Sequence, residues 1–167
     1  VSKTQTAEAV AEARAAGLGA FGENYVQEAE EKIRAVPDAE WHLIGKLQRN
    51  KAAKAVSLFP WIQAVDSAAL LAEISRRAAA AAKTVDLLVE VNLAGEGSKG
   101  GVPPEGLPAL VDAASGLPGI RLRGLMAIPP YSEDPEASRP HFARLRDLLE
   151  EAALRAPRGA EMTELPM

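Results

Sequence analysis

The residue best suited to chemistry in this sequence is Lys3, in the opening segment Val-Ser-Lys-Thr-Gln. A lysine near the start of a chain is ordinarily a solvated surface charge, so the residues that accompany it decide its interpretation. Later apolar runs end at or just before Glu23 and Asn24, His42 and Gly45, Asp66 and Ser67, Asn92, and Met126. If these runs are parallel strands, their carboxyl ends form the rim where α/β folds bind ligands. The pattern therefore predicts one ligand site at that rim.

The elements that must position these side chains follow from the alternation of short Val-, Ile- and Leu-rich runs with stretches of helical period. Six strands are predicted, at 1–5, 18–24, 40–44, 61–65, 85–93 and 120–126. Helices are predicted at 6–16, from 26 to Pro37, at 49–58, 67–82 and 104–115, and through 142–152. The weak pattern of 156–167 predicts the start of a seventh strand. Repeated βα units of this kind indicate a parallel sheet.

Two architectures fit this alternation, a (β/α)₈ barrel and an open doubly wound sheet. A complete barrel usually takes about 250 residues, so a chain of 167 residues is too short to close one. A doubly wound nucleotide-binding domain is the weaker alternative, because no Gly-x-Gly-x-x-Gly follows the first predicted strand. No linker divides the six units, so 1–167 is predicted to be a single domain.

Composition narrows the possible functions. The formal charge of −4 is spread along the chain without a basic stripe, which argues against nucleic acid as a partner. No apolar run approaches the roughly 20 residues of a membrane span, and the start lacks a signal-peptide pattern. Zero cysteines and two distant histidines argue against disulfides, thiolate catalysis and a zinc site. We therefore expect a cytoplasmic protein with neither a metal nor a membrane partner.

Several candidate residues have a structural alternative. Asn24 and Gln27 have the spacing of a helix-capping pair, and the residues alone leave capping and ligand binding equally open for Asn24. His42 lies among Trp41, Leu43 and Ile44, which favours a hydrogen-bonded core histidine. Met126 has the residue type of a core position. The glycine-rich segment 95–101 fits a flexible loop better than a phosphate cradle, because it lacks P-loop spacing.

Short sequence motifs carry information about the family that the spacing of apolar residues does not. In order, they are Val-Ser-Lys-Thr at 1–4, Phe-Gly-Glu-Asn-Tyr-Val-Gln-Glu at 21–28, Trp-His-Leu-Ile-Gly-Lys-Leu-Gln-Arg-Asn-Lys at 41–51, Val-Asp-Ser at 65–67, Val-Asn at 91–92, Ser-Lys-Gly-Gly at 98–101 and Arg-Gly-Leu-Met-Ala-Ile-Pro at 123–129. Together they resemble the pyridoxal phosphate homeostasis proteins, a family similar to the amino-terminal barrel of alanine racemase. The resemblance covers residues 1 to about 150, and its second and third motifs are very specific.

The resemblance implies a (β/α)₈ barrel of the alanine racemase amino-terminal type, present here as about six βα units. It also implies that pyridoxal 5′-phosphate forms a Schiff base with the lysine that ends the first strand, which is Lys3 in this sequence. Asn24 would lie beside the cofactor, and His42 and Met126 would line the same rim. A lysine amine attacks an aldehyde only after losing its proton, and a barrel mouth is a suitable place for such a residue.

The sequence departs from the family pattern at both ends. Family members carry a helix before the lysine strand, and two later strands with a Ser-x-Gly-x-Ser phosphate cup and an Arg-x-Gly-Thr segment. This sequence ends at Thr-Glu-Leu-Pro-Met, residues 163–167, where Leu-Pro-Met resembles the approach to the cup. We therefore expect an open-edged barrel, with six strands in sequential order and Lys3, Asn24, His42, Asn92 and Met126 facing one cavity.

Two functions are compatible with such a site. The first is a monomeric binding protein that buffers pyridoxal phosphate and delivers it to pyridoxal-phosphate-dependent apo-enzymes, without substrate turnover. The second is an amino-acid racemase that uses the same cofactor as an electron sink. Two-base racemisation needs a second acid/base group, and Tyr25 and Tyr131 are the only tyrosines in the sequence. We favour the carrier.

Overall fold

The computed structural model describes residues 1–95, 100–156 and 161–166. Five parallel strands form one sheet in the order β1-β2-β3-β4-β5. They are β1 (Ala20–Glu23), β2 (Glu40–Leu43), β3 (Trp61–Val65), β4 (Val85–Glu90) and β5 (Ile120–Met126). Because each strand pairs with the next one along the chain, the strand order nowhere reverses. The sequential order confirms the barrel-type prediction over the doubly wound alternative.

Helices fill the intervals between the strands. They are α1 (Ala7–Ala15), α2 (Val26–Ala35), α3 (Ala52–Leu58), α4 (Ala68–Ala80), α5 (Leu107–Ala114) and α6 (Arg139–Arg155). Local signals set two of the helix starts: the Thr6 hydroxyl accepts a hydrogen bond from the Ala9 amide, and the Ser67 hydroxyl accepts one from the Leu70 amide. Within the described ranges, no helix is both long and apolar enough to span a membrane.

The opening segment is where the prediction of six strands is wrong. Residues 1–5 form no strand; a single backbone hydrogen bond, from Ser2 N–H to the Gly22 carbonyl at 2.9 Å, joins them to β1. Thr4 follows with φ of 66°, which turns the chain towards α1 before a ladder can extend. The predicted seventh strand is present only as one parallel bridge between Gly124 and Glu164.

The two faces of the strands have different roles. In β4, Val85, Leu87 and Val89 are almost fully buried in the main core between sheet and helices. Leu88 points the other way and packs in a small inner cluster with Ala64, Met126 and Trp61. This is the period of two that a strand imposes, and the strand ends at Glu90, short of its predicted end at residue 93. The inner face is therefore the one that can carry a site.

Candidate functional site

An open cavity of about 620 Å³ lies at the carboxyl ends of the strands, and we call it the rim cavity. Its lining comprises Val1, Lys3, Asn24, Ile44, Gly45, Lys46, Gln63, Glu90, Gly100, Met126, Ala127, Ile128 and Pro166. The volume is within the range of about 300–1,000 Å³ that small-molecule sites occupy. Lys3, Asn24 and Met126, three of the predicted site residues, are therefore brought together.

Lys3 contributes an exposed amine to the rim cavity. No described residue accepts a hydrogen bond from its ammonium group or forms an ion pair with it. Its neighbour Ser2 is buried and hydrogen-bonded to β1, so a buried residue directly precedes the exposed Lys3. The amine is thus available to a ligand.

Asn24 follows the last residue of β1 and does not cap the next helix. The residue at the start of α2 is Tyr25, and it makes no side-chain capping bond. The β1 and β2 ends lie so close here that a Cβ on Gly45 would meet the Asn24 backbone, with the Asn24 Cα only 2.6 Å away. Asn24 therefore lines the rim cavity and is not the capping residue of α2.

Glu90 is a rim cavity residue that the sequence prediction missed. It is the last residue of β4, on the same inner side as Leu88. Burial raises the pKa of its carboxyl above the ordinary 4.5, the nearby Asp66 carboxylate raises it further, and Lys46 opposes the shift. The alternation of β4 already placed Glu90 on the inner side, and this was the signal that could have identified it.

His42 does not line the rim cavity, which corrects the prediction for this residue. As the third residue of the four-residue β2, it lies one layer deeper and borders a second cavity of about 450 Å³, the lower cavity. That cavity is lined by Glu40, His42, Trp61, Gln63, Leu88, Glu164 and Pro166. The strand continues past His42 to the rim, and Ile44 takes the rim position instead.

The His42 ring is held on three sides. Its Nε2 lies 2.7 Å from Glu40 Oε1 and its Nδ1 lies 2.6 Å from Gln63 Nε2. Because the Gln63 amide nitrogen can only donate, Nδ1 accepts and Nε2–H donates to the carboxylate. The ring also stacks on Trp61 with centroids 5.2 Å apart. These contacts describe the hydrogen-bonded histidine that its apolar sequence neighbours favoured.

A layer of charged side chains lies beyond the lower cavity. Arg121 pairs with Asp86 through two hydrogen bonds of 2.8 and 2.7 Å. Arg123 Nη1 pairs with Glu161 at 2.8 Å, and its guanidinium carbon lies 5.9 Å from the Trp61 ring centroid. Each of these arginines therefore has a carboxylate partner within the layer, although Arg123 Nε is buried without a hydrogen-bond partner among the described residues.

Four other predicted rim residues also lie outside the cavity lining: Glu23, Asp66, Ser67 and Asn92. Asn92 is not among the lining residues, and its backbone N–H donates to the Val102 carbonyl at 2.9 Å. Asp66 lies 3.8 Å from Lys46 and acts on the cavity only through charge. The predicted loop at 95–101 lies partly outside the described residues, which omit 96–99. Within the described ranges, no group of three or more His, Asp or Glu side chains could hold a metal ion.

Comparison with known proteins places this geometry in a family. The model of the alanine racemase N-terminal domain matches residues 2–163. The pyridoxal phosphate homeostasis protein of Pseudomonas aeruginosa is 46% identical over 151 residues, covering 89% of this chain and 66% of the relative. That of Aquifex aeolicus is 43% identical, covering 90% and 67%. The chain belongs to the pyridoxal phosphate homeostasis protein family.

A solved family structure has the same fold. PipY of Synechococcus elongatus PCC7942, solved with PLP bound, aligns with a TM-score of 0.90 and 40% identity, covering 99% of this chain and 78% of PipY. The predicted barrel type is therefore confirmed. The chain spans about two thirds of the length of the two curated relatives described above.

Proposed function

We propose that this chain is a pyridoxal 5′-phosphate carrier that holds the cofactor covalently on Lys3. The observation that carries the proposal is the exposed Lys3 amine, which lines a cavity of about 620 Å³ and has no partner among the described residues. Relatives named for pyridoxal phosphate homeostasis, and PipY with PLP bound, support the choice of cofactor.

The residues of the rim cavity fit such a ligand. A flat aromatic ring needs apolar walls, which Ile44, Met126 and Ala127 supply. Its polar substituents need a few placed groups, and Asn24 supplies an amide that can donate or accept. We assign Lys3, Asn24 and Met126 to direct contact with the cofactor, and His42 to the supporting layer below.

The covalent step uses only the Lys3 amine and the aldehyde that the cofactor brings. The neutral Nζ attacks the carbonyl carbon, a C=N bond replaces the C=O bond, and the oxygen leaves as water with both amine protons. Addition of water reverses the step and releases the aldehyde. A reversible linkage masks a reactive aldehyde and allows its delivery to an apo-enzyme, which is what a buffering protein requires.

The arrangement favours a carrier over a racemase. Tyr25 and Tyr131 are the only tyrosines, both are exposed, and neither lines the rim cavity. Exchange of the α-proton on both faces of an amino acid requires two acid/base groups across the cofactor. We therefore expect no interconversion of L- and D-alanine at an enzyme-like rate, above about 1 s⁻¹. Racemisation of alanine above that rate, measured by chiral chromatography, would exclude the carrier role.

The covalent site can be tested directly. Pyridoxal phosphate is added to the purified protein, the visible absorbance is recorded, and borohydride reduction fixes the adduct for peptide mapping. We expect the adduct on Lys3 and complete loss of the visible band in Lys3→Ala. The matched control is Lys46→Ala, because Lys46 lines the same cavity and also carries an exposed amine. An adduct on Lys46 or Lys99 in the unmutated protein would overturn the assignment.

A further inference from the structure

A buried polar cluster lies directly behind the rim cavity wall and is formed by Ser2, Glu23 and Lys32. We propose that this cluster positions Lys3, fixing the direction and reach of its amine. The inference rests on the proposed function, because positioning matters only if Lys3 is the residue that reacts. None of the three side chains lines the rim cavity, so they act on Lys3 through the backbone.

The backbone alone leaves Lys3 weakly fixed. In a parallel sheet, a ladder of hydrogen bonds normally holds each residue against its neighbour strand. Here the described contacts supply one such bond, from Ser2 to Gly22, and one turn bond, from Gln5 N–H to the Ser2 carbonyl at 3.1 Å. Since Thr4 already has a positive φ, no ladder continues beyond Lys3. Something other than sheet pairing must hold the segment in register.

Side chains supply the missing restraint. The Ser2 hydroxyl donates to Glu23 Oε1 at 2.6 Å, and Lys32 Nζ donates to the same oxygen at 2.8 Å. Lys32 Nζ also donates to the Ser2 backbone carbonyl at 2.8 Å. The residue before Lys3 is thus held by its side chain, its N–H and its carbonyl at once. These bonds fix the backbone from which the Lys3 side chain extends.

The burial of the cluster indicates a specific role. Glu23 is fully buried, and Ser2 and Lys32 are each 5% exposed. Charged side chains are almost never buried to this extent without a partner, and replacing a buried ion pair by apolar residues often costs no stability. Glu23 Oε2 is also buried with no hydrogen-bond partner among the described residues. A buried polar atom without a partner calls for an explanation, and a role in fixing the Lys3 segment supplies one.

The buried cluster and the rim cavity lie on opposite sides of the backbone at residues 2–3 and 23–24. Glu23 faces the cluster and its neighbour Asn24 faces the rim cavity, just as Ser2 faces the cluster and Lys3 faces the cavity. The cluster therefore holds together the two backbone positions that carry Lys3 and Asn24. A displacement of about 1 Å at a reacting group can lower its rate by about a hundredfold, so loss of the cluster should slow reaction at Lys3.

The test compares two buried serines. Ser2→Ala removes the hydroxyl bonded to Glu23, and Ser75→Ala removes one that is 2% exposed and bonded to the Pro118 carbonyl at 2.7 Å, far along the chain. Each variant is mixed with pyridoxal phosphate, quenched with borohydride over time and mapped. We expect the Lys3 adduct to form about tenfold more slowly in Ser2→Ala than in Ser75→Ala. A smaller difference overturns the inference.

A second pair of variants separates positioning from folding. Lys32→Met removes both bonds to Ser2 and Glu23, whereas Lys32→Arg keeps a cation that can donate to both acceptors. We expect the share of adduct on Lys46 relative to Lys3 to rise in Lys32→Met and to return towards the unmutated value in Lys32→Arg. An unchanged share in folded Lys32→Met would contradict the positioning role.

A ligand-free measurement keeps this inference separate from the proposed function. Amide hydrogen exchange at position 2 and at Gln5, whose N–H groups donate to the Gly22 and Ser2 carbonyls, should accelerate about tenfold in Ser2→Ala, with no change in β4. Faster exchange with no Lys3 adduct in any protein would mean that the cluster holds the segment but the proposed function is wrong. Unchanged exchange would overturn the inference even if Lys3 carries the cofactor.

Discussion

The rim cavity and the lower cavity occupy the same inner face of the sheet but use polar residues in opposite ways. In the lower cavity, Glu40, His42 and Gln63 are hydrogen-bonded to one another in series. In the rim cavity, Lys3 has no bonding partner among the described residues. The polar side chains of the lower cavity therefore hydrogen-bond to one another, whereas the rim cavity contains an amine that a ligand can reach.

Whether a polar side chain can meet a ligand therefore depends on its position along the strand as well as on its residue type. Along β2, His42 and Ile44 lie on the same inner side two residues apart, yet only Ile44 reaches the rim cavity. The deeper position brings a neighbouring strand within hydrogen-bond distance, so a polar residue there becomes part of the packing. A residue at the strand end can instead meet a ligand.

The largest effect should come from closing the gap between the β1 and β2 ends. In Gly45→Ala, the new Cβ would overlap the Asn24 backbone, which cannot move aside as a flexible side chain would. We expect a loss of about 3 kcal/mol in the free energy of unfolding, together with weaker cofactor binding. Urea denaturation and the visible absorbance titration measure the two effects.

The control for that substitution is Gly19→Ala, because a Cβ on Gly19 would meet nothing within 4 Å. Its stability should stay within about 0.5 kcal/mol of the unmutated protein. If the two variants were equally stable, the close approach at Asn24 would have no energetic importance.

An intermediate effect is expected in the lower cavity. His42→Ala removes the stack on Trp61 and leaves the Gln63 amide without its partner, which should cost about 1–3 kcal/mol of stability. Formation of the Lys3 adduct should change less than about threefold in the folded variant, because His42 does not line the rim cavity. A tenfold slower reaction would show that the two cavities act as one site.

The smallest effect is a dependence of stability on pH. The pKa of Glu90 is raised by burial, so the folded state keeps its proton to higher pH than the unfolded state. The stability linked to Glu90 is therefore fully present below the ordinary pKa of 4.5 and is lost as pH rises through the folded pKa. Glu90→Gln should match the unmutated protein at about pH 4 and be the more stable of the two at about pH 8.

Glu73 on α4 provides a control of opposite sign. Hydrogen bonds from Arg76 and Arg77 lower the pKa of Glu73 to about 2, so its contribution is present above 4.5 and is lost as pH falls towards 2. Glu73→Gln should be slightly less stable than the unmutated protein at neutral pH and equal to it in acid. Urea midpoints across the pH range would reveal both trends. Parallel curves for the two variants would contradict this account of Glu90.

Local features were predictable because their causes lie within a few residues. Thr6 caps α1 through the amide three residues later, and Ser67 caps α4 in the same way. The inner and outer faces of β4 follow from the period of two along a strand. The motif around Lys3 and Asn24 gave the resemblance, and both residues line the rim cavity.

The predictions were wrong or incomplete where the position of a residue depends on a contact with a residue distant in the sequence. Residues 1–5 have a strand-like position in the alternation, but the ladder is replaced by side-chain bonds, from the Ser2 hydroxyl to Glu23 and from Lys32 to the Ser2 carbonyl. His42 was predicted at the rim because β2 ends nearby, and its pairing with Gln63 in β3 is invisible in the local sequence. For Glu90 the period of two gave the inner side, but the burial that raises the pKa of its carboxyl, with a smaller effect of Asp66, depends on the packing of separate βα units.

The sequence by itself determined the order of the strands and helices, the apolar side of each, and the family to which the chain belongs. Hydrophobic period, caps and short motifs carry this information, and each acts over one or two turns of chain. The tertiary structure decided which side chains reach the rim and which are satisfied one layer below. That distinction depends on distances between separate strands, which the register of the sheet sets and the sequence of a single strand does not encode.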